Sequence, residues 1–162
     1  MSRKKKPKLD PAEATAADVE AAAVRLLARR EHSRLELKRK LSQRRFDATL
    51  IDAVVDKLES ERLQSDERFA ESFVRTRAER GQGPLRIRAE LSQRGVEDAE
   101  AEAALEGCEC DWAASAVVIR RQRFGAELPE TYEERARQAR FLQQRGFAMD
   151  HIRAALKGDL DD

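Results

Sequence analysis

Apolar residues recur along this chain at spacings of three and four, the stripe that one face of an α-helix presents. Val19, Ala23, Leu26 and Leu27 draw a first stripe, which ends at Arg30. Ser33 and, three residues on, Glu36 read as a capping box opening a second helix to about Arg44. Asp47 is placed to cap a third, in which Leu50, Ile51, Val54, Val55 and Leu58 keep the helical period. Ser65-Asp66-Glu67 opens a fourth with acids at the positive end of its dipole, and Phe69 and Phe73 lie one turn apart on it. Gly81-Gln82-Gly83-Pro84 breaks that helix, and Pro84 suits the first turn of a fifth. Gly95 is able to close the fifth in the left-handed conformation. A sixth covers about 97–107 and a seventh 111–123. Gly125 and Pro129 punctuate the chain again. Thr131 and Glu134 repeat the capping box, opening an eighth helix that Gly146 closes, and a short ninth runs over about 149–157.

Nine helices invite a search for repetition. Residues 41–46, LSQRRF, match 91–96, LSQRGV, at an offset of 50, and 142–147, LQQRGF, at a further 51. Leu35, Leu37 and Leu41 fall on Leu85, Ile87 and Leu91, and Ala53 falls on Ala103 and Ala154. The expected fold is therefore all-α: three tandem three-helix units at 17–63, 64–108 and 109–158, behind a disordered basic tail at 1–16. A unit of about 50 residues is near the lower limit for burying its own core, so stacking into an elongated, curved array is expected. Arg45 stands where the other two units have Gly, so a different helix end is expected there. In the third unit Gln138 and Ala139 replace the pattern of Leu37 and Lys38.

Composition supports the helices. Ala, Glu, Lys, Leu and Arg make up more than half of the 162 residues, and only 7 Gly and 4 Pro are present. No stretch approaches the roughly 20 apolar residues of a membrane span. The bases of the first ten residues are followed by no apolar run, unlike a secretory signal, and a cytoplasmic protein is expected. The net charge is +1, yet the layout is uneven. Residues 34–45 hold six bases and one acid, 75–94 hold six Arg and two Glu, and 96–111 hold seven acids and no base. Uniform basicity, the footprint of many nucleic-acid binders, is absent.

Catalytic chemistry has little support. His32 and His151 each lie near a helix start, far apart in sequence and without a nucleophile–carboxylate pattern around them. There is no phosphate-binding loop signature, and Gly81-Gln82-Gly83 reads as a helix breaker. Cys108-Glu109-Cys110 is too closely spaced for a zinc pair, and residues two apart on a helix point away from each other, so two reduced thiols are expected. Phe69, Phe73, Trp112 and Phe141 read as core positions, although aromatics are able to stack bases. No enzyme, no metal and no cofactor are expected. The arginines carry the stronger signal. Arg44, Arg94 and Arg145 hold the same place in all three units, where each complements the negative end of its helix. One basic patch per unit would suit an extended anionic partner. Solvated helix faces account for the same residues about as well.

Residues 65–77, SDERFAESFVRTR, followed by 83–95, GPLRIRAELSQRG, strongly resemble the bacterial RecX family. Residues 26–41, LLARREHSRLELKRKL, resemble that family's opening motif, and the similarity runs over about 19–157. The resemblance implies a small all-α regulator that binds in the groove of the RecA–DNA filament and bridges neighbouring RecA subunits. Blocked filament extension or promoted disassembly is the implied outcome, lowering ATP hydrolysis, strand exchange and the co-protease activity behind the SOS response. On this reading Lys38, Arg39, Arg44, Arg75, Arg77, Arg86, Arg88 and Arg94 face the filament, with Arg137, Arg140 and Arg145 as the third unit's contribution. The competing readings are a direct binder of single- or double-stranded DNA, which steep salt dependence without RecA would mark, and a passive helical scaffold. No heptad seam is visible, so a monomer is expected.

Overall fold

The computed structural model describes residues 9–157, and among them every regular element is helical. The helices are α1 (Ala16–Arg29), α2 (Arg34–Gln43), α3 (Ala48–Ser60), α4 (Asp66–Glu79), α5 (Pro84–Gln93), α6 (Asp98–Gly107), α7 (Trp112–Phe124), α8 (Tyr132–Gln144) and α9 (Met149–Lys157). They follow one another as three three-helix groups with the repeat seen in the sequence. None is long and apolar enough to cross a membrane. Of the expected tail, residues 1–8 lie outside the described residues. Its second half is ordered differently: Asp10 caps a 3-10 turn at Pro11–Glu13, and Thr15 and Asp18 form a reciprocal capping box on α1.

Local chemistry explains the helix starts. Ser33 and Asp47 accept the Glu36 and Leu50 N–H groups, satisfying donors that a first turn leaves orphaned. Asp66, the first residue of α4, also accepts the Arg34 N–H at 2.7 Å, so one helix start caps another. Thr131 accepts the Glu134 N–H as expected, while the Glu134 carboxylate returns one residue earlier, to the Glu130 N–H.

The chain packs as two compact parts, one ending at Phe69 and one beginning at Ala70. The first part is α1–α3 with the start of α4. Val19, Ala22, Ala23, Leu26, Leu37, Leu41, Ile51, Val54, Val55 and Leu58 form its core. Those of α1 and α3 lie on the predicted stripes or one turn from them, as burial of a single helix face requires, and Leu37 and Leu41 of α2 are positions that the repeat aligns. The second part holds the other two groups. Ala70, Val74, Ile87, Leu91, Val96, Ala101, Ala104 and Leu105 are buried in one; Ala116, Leu142, Phe147, Ile152 and Ala155 form the core of the other. Leu41, Leu91 and Leu142 are each fully buried, so the repeat in sequence is a repeat in packing. Gln138 takes the buried place that Leu37 and Ile87 hold in the other groups.

Gly81-Gln82-Gly83 is more than a break. All three residues are buried. The Gly83 and Leu85 N–H groups donate to the carbonyls of Arg145 and Gly146 at 2.8 and 2.9 Å. The turn after α8 thereby supplies acceptors to the N-terminus of α5, and opposite dipole ends meet. No side chain fits at this joint. A Cβ on Gly83 would lie 2.4 Å from the Gly146 carbonyl carbon, and one on Gly146 would lie 2.3 Å from the Arg86 Cβ. A Cβ on Gly81 would strike Ile119 Cδ1 at 2.3 Å. This close approach locks the second and third groups into one body.

The helix ends after α2, α5 and α8 share one conformation. Arg45, Gly95 and Gly146 all have positive φ, at 65°, 77° and 95°. The different end expected at Arg45 is not found. An arginine adopts there the left-handed geometry that glycine adopts more cheaply.

Candidate functional site

The arginines singled out by sequence fall into distinct settings. On α4, Phe73 and Arg77 are one turn apart, and Arg94 is the C-cap of α5. Both guanidinium carbons lie 4.7 Å from the centre of the Phe73 ring, within cation–π range. Glu90 ties the cluster together: Arg77 approaches its carboxylate at 3.8 Å and Arg86 at 3.4 Å, while Arg94 donates to its backbone carbonyl at 3.0 Å. The last bond sets a cation on the negative end of α5. Arg88 pairs instead with Glu102 on α6. Arg75 is exposed and lines a separate hollow with Glu71, Glu79, Cys108 and Cys110.

The third group repeats the arginine–aromatic theme on α7 and α8. Phe124 and Phe141 meet edge to face with centroids 5.3 Å apart. Arg137 lies 5.3 Å from the Phe124 ring, and Arg123 and Arg145 lie 5.8 and 5.6 Å from Phe141. An open pocket of about 400 Å³ is lined by Arg123, Phe124, Arg137, Arg140, Phe141 and Gln144. None of these lining residues is a carboxylate, and the pocket is strongly cationic.

The first group spends its bases differently. Arg34 bridges to Asp56 and Glu59 on α3, which raises its pKa and lowers that of Asp56, and Lys38 meets Asp52 at 3.0 Å. Arg39 and Arg44 are exposed. His32, by contrast, is 1% exposed; its Nδ1 lies 3.0 Å from the Arg30 carbonyl and its Nε2 meets no partner among the described residues. Desolvation lowers its pKa, and the neighbouring Arg30 and Lys40 charges act in the same direction. The role is structural, as it is for His151, whose ring accepts the Ala148 N–H at the start of α9.

The cysteines are a correction to the sequence reading. Cys108 and Cys110 are joined as a disulfide and are not two reduced thiols. The geometry of a continuous helix does not apply to them. Cys108 ends α6, and Glu109 turns left-handed with φ 51°, which brings the two side chains to one side. No group of His, Cys, Asp and Glu able to hold a metal occurs among the described residues.

Sequence reasoning missed Arg120, Arg123, Phe124 and Gln144. Arg120 is fully buried on α7, and it donates to the carbonyls of Gly125 and Glu127 at 3.3 and 3.1 Å, fastening the loop before α8. The signal was spacing: Arg120 and Phe124 continue the buried stripe from Ala116 at steps of four. Of the aromatics expected in the core, Phe69 is buried, whereas Phe73, Trp112 and Phe141 are half-buried.

Comparison with known proteins covers nearly all of this architecture. The profile of the RecX first three-helix domain matches residues 21–58, that of the second matches 65–105, and that of the third matches 109–156. Regulatory protein RecX of Halorhodospira halophila is 52% identical over 145 residues, covering 89% of this chain and 90% of the relative. Regulatory protein RecX of Pseudomonas fluorescens (strain SBW25) is 48% identical over 145 residues, covering 89% and 94%. The crystal structure of RecX from Lactobacillus salivarius is similar with a TM-score of 0.73 and 26% identity, over 88% of this chain and 94% of that one. These relatives carry the name of a regulatory protein rather than of an enzyme.

Proposed function

The chain belongs to the RecX family, and from that premise we propose that it binds the RecA–DNA filament and holds down RecA activity. Blocked extension or promoted disassembly of the filament would lower ATP hydrolysis, strand exchange and co-protease activity together. The observation that carries this reading is the match of all three three-helix domains, in order, along nearly the whole chain. Such a protein needs no catalytic constellation of its own. It needs cationic and anionic patches on its helices, because its partner presents both protein and phosphate. The arginine–aromatic clusters on Phe73 and Phe141 fit that need: rings hold guanidinium groups in place, so less side-chain entropy is lost on binding.

The test is the ATPase of preformed RecA–single-stranded-DNA filaments as the protein is titrated in. Loss of activity below one protein per RecA supports action on assembly. Arg44→Glu, Arg75→Glu and Arg140→Glu each change an exposed residue of one three-helix group, so the triple variant tests these arginines without disturbing the core. At least a tenfold rise in the concentration for half inhibition is expected, because reversed charges meeting like charges cost several kcal/mol across an interface. Unchanged inhibition would remove these arginines from the contact face. No effect of the native chain on the ATPase would end the reading itself.

A further inference from the structure

We propose that the pocket between α7 and α8 is a nucleotide-binding site that takes one unit of single-stranded nucleic acid, base against the phenylalanines and phosphate against the arginines. This goes beyond the filament reading and does not require RecA. Four observations converge on it. Three guanidinium groups, Arg123, Arg137 and Arg140, border one pocket of about 400 Å³ with no carboxylate in its lining. Phe124 and Phe141 form a half-buried, edge-to-face aromatic corner on the same wall. Arg123 and Arg137 each lie over one of these rings at 5.8 and 5.3 Å, distances that hold the fork near the pocket. Gln144, the last residue of α8, adds an amide with both a donor and an acceptor for a base edge.

The chemistry selects the ligand. Guanidinium forks match phosphate oxygens in a bidentate geometry. A lone anion such as sulfate would leave the aromatic corner unused, and an apolar peptide would leave three cations desolvated without partners. A duplex keeps its bases stacked inside, whereas a single strand offers a base face and a phosphate at once. Several other bases among the described residues are already engaged. Those on Phe73 are engaged by Glu90, and Arg34 and Lys38 of the first group are paired with acids on α3.

The test uses the full chain without RecA, with fluorescence anisotropy of a labelled thymidine 12-mer, the same strand carrying abasic sites, and thymidine monophosphate as competitor. The variants are Arg123→Gln with Arg140→Gln, Phe124→Leu, and Arg153→Gln on the exposed face of α9 as a control. The proposal expects the double arginine variant to bind about tenfold more weakly and to lower the salt slope by about 0.7, for the one phosphate that is no longer neutralised. It expects the abasic strand and Phe124→Leu each to lose about tenfold through weaker stacking. Competition by thymidine monophosphate that the double variant abolishes supports the same pocket, with free nucleotide as the source. Equal losses in Arg153→Gln and the double variant overturn it, because the attraction would then be diffuse. Equal affinity for normal and abasic strands overturns the stacking role. Strand binding untouched by every variant, with filament inhibition abolished, overturns the proposal and leaves the filament reading standing.

Discussion

The turn after α2 and the turn after α8 are two copies of one sequence pattern, and they have met opposite fates. Arg45 and Gly146 share the left-handed backbone that ends each helix. Arg45 is exposed, while Gly146 is buried and its carbonyl serves the N-terminus of α5. The repeat therefore fixes the turn, and the neighbour decides the residue. Where the turn residue is exposed, an arginine is tolerated at a cost of about 1–2 kcal/mol for its left-handed φ. Where another helix docks, only glycine fits.

The largest effect should come from breaking the docked copy. Gly146→Ala adds a Cβ 2.3 Å from the Arg86 Cβ and 2.6 Å from the Arg86 nitrogen, at φ 95°. Left-handed strain and overpacking together should cost about 3 kcal/mol in chemical denaturation of the second compact part. The exposed turn after α5, with Gly95 at φ 77°, gives the internal control, since Gly95→Ala should lose only about 1 kcal/mol from strain. Equal losses at the two glycines would mean that the joint between α5 and α8 contributes nothing.

The second effect separates the two compact parts by pH. His32 belongs to the first part, and burial lowers its pKa from the ordinary 6.5. The unfolded chain binds the proton more readily than the folded one. Stability of α1–α3 is therefore full above pH 6.5 and is lost as pH falls through 6.5 toward the folded value. The slope should not exceed about 1.4 kcal/mol per pH unit, the limit for one proton. The lowered carboxylates of Asp18 and Asp56 act only below pH 4 and do not enter this window. Hydrogen exchange at pH 7.5 and 5.5 should show α1–α3 softening more than α7–α9. Uniform softening would discard His32 as the cause, and an NMR titration of the His32 ring reads its pKa directly.

Much of the fold was legible because its signals are local. Among the described residues, nine α-helices, their caps and the offset of 50 residues follow from stripes, Ser, Thr and Asp caps, and Gly ends. What stayed hidden depends on residues that meet only in three dimensions. Gly81-Gln82-Gly83 signals a break in one dimension, and nothing in it announces the turn after α8 as its partner. Arg120 looks like another surface charge until the loop carbonyls of Gly125 and Glu127 are seen around it. The candidate arginines were visible as blocks of charge. Their division into ring-held, acid-paired and open groups was not, because Glu90, Glu102 and Asp52 select among them across helices.

The smallest effect is also the most specific, and it has the opposite sign. Arg45→Gly should relieve the strain of φ 65° at an exposed position. Glycine also enlarges the unfolded ensemble, which takes back about 0.4–1 kcal/mol. With strain of about 1–2 kcal/mol released, a net gain of about 0.5–1 kcal/mol is expected in thermal or urea unfolding of the first part. Arg45→Ala isolates the two terms, because alanine keeps the strain and removes only the side chain, so it should give no gain. If Arg45→Ala stabilised the chain as much as Arg45→Gly, the crowding of positive charge at 34–45 would be the cause and the backbone would not. If neither did, the guanidinium stem must recover by packing what the backbone loses, and the exposed turn would be less different from the docked one than its surroundings suggest.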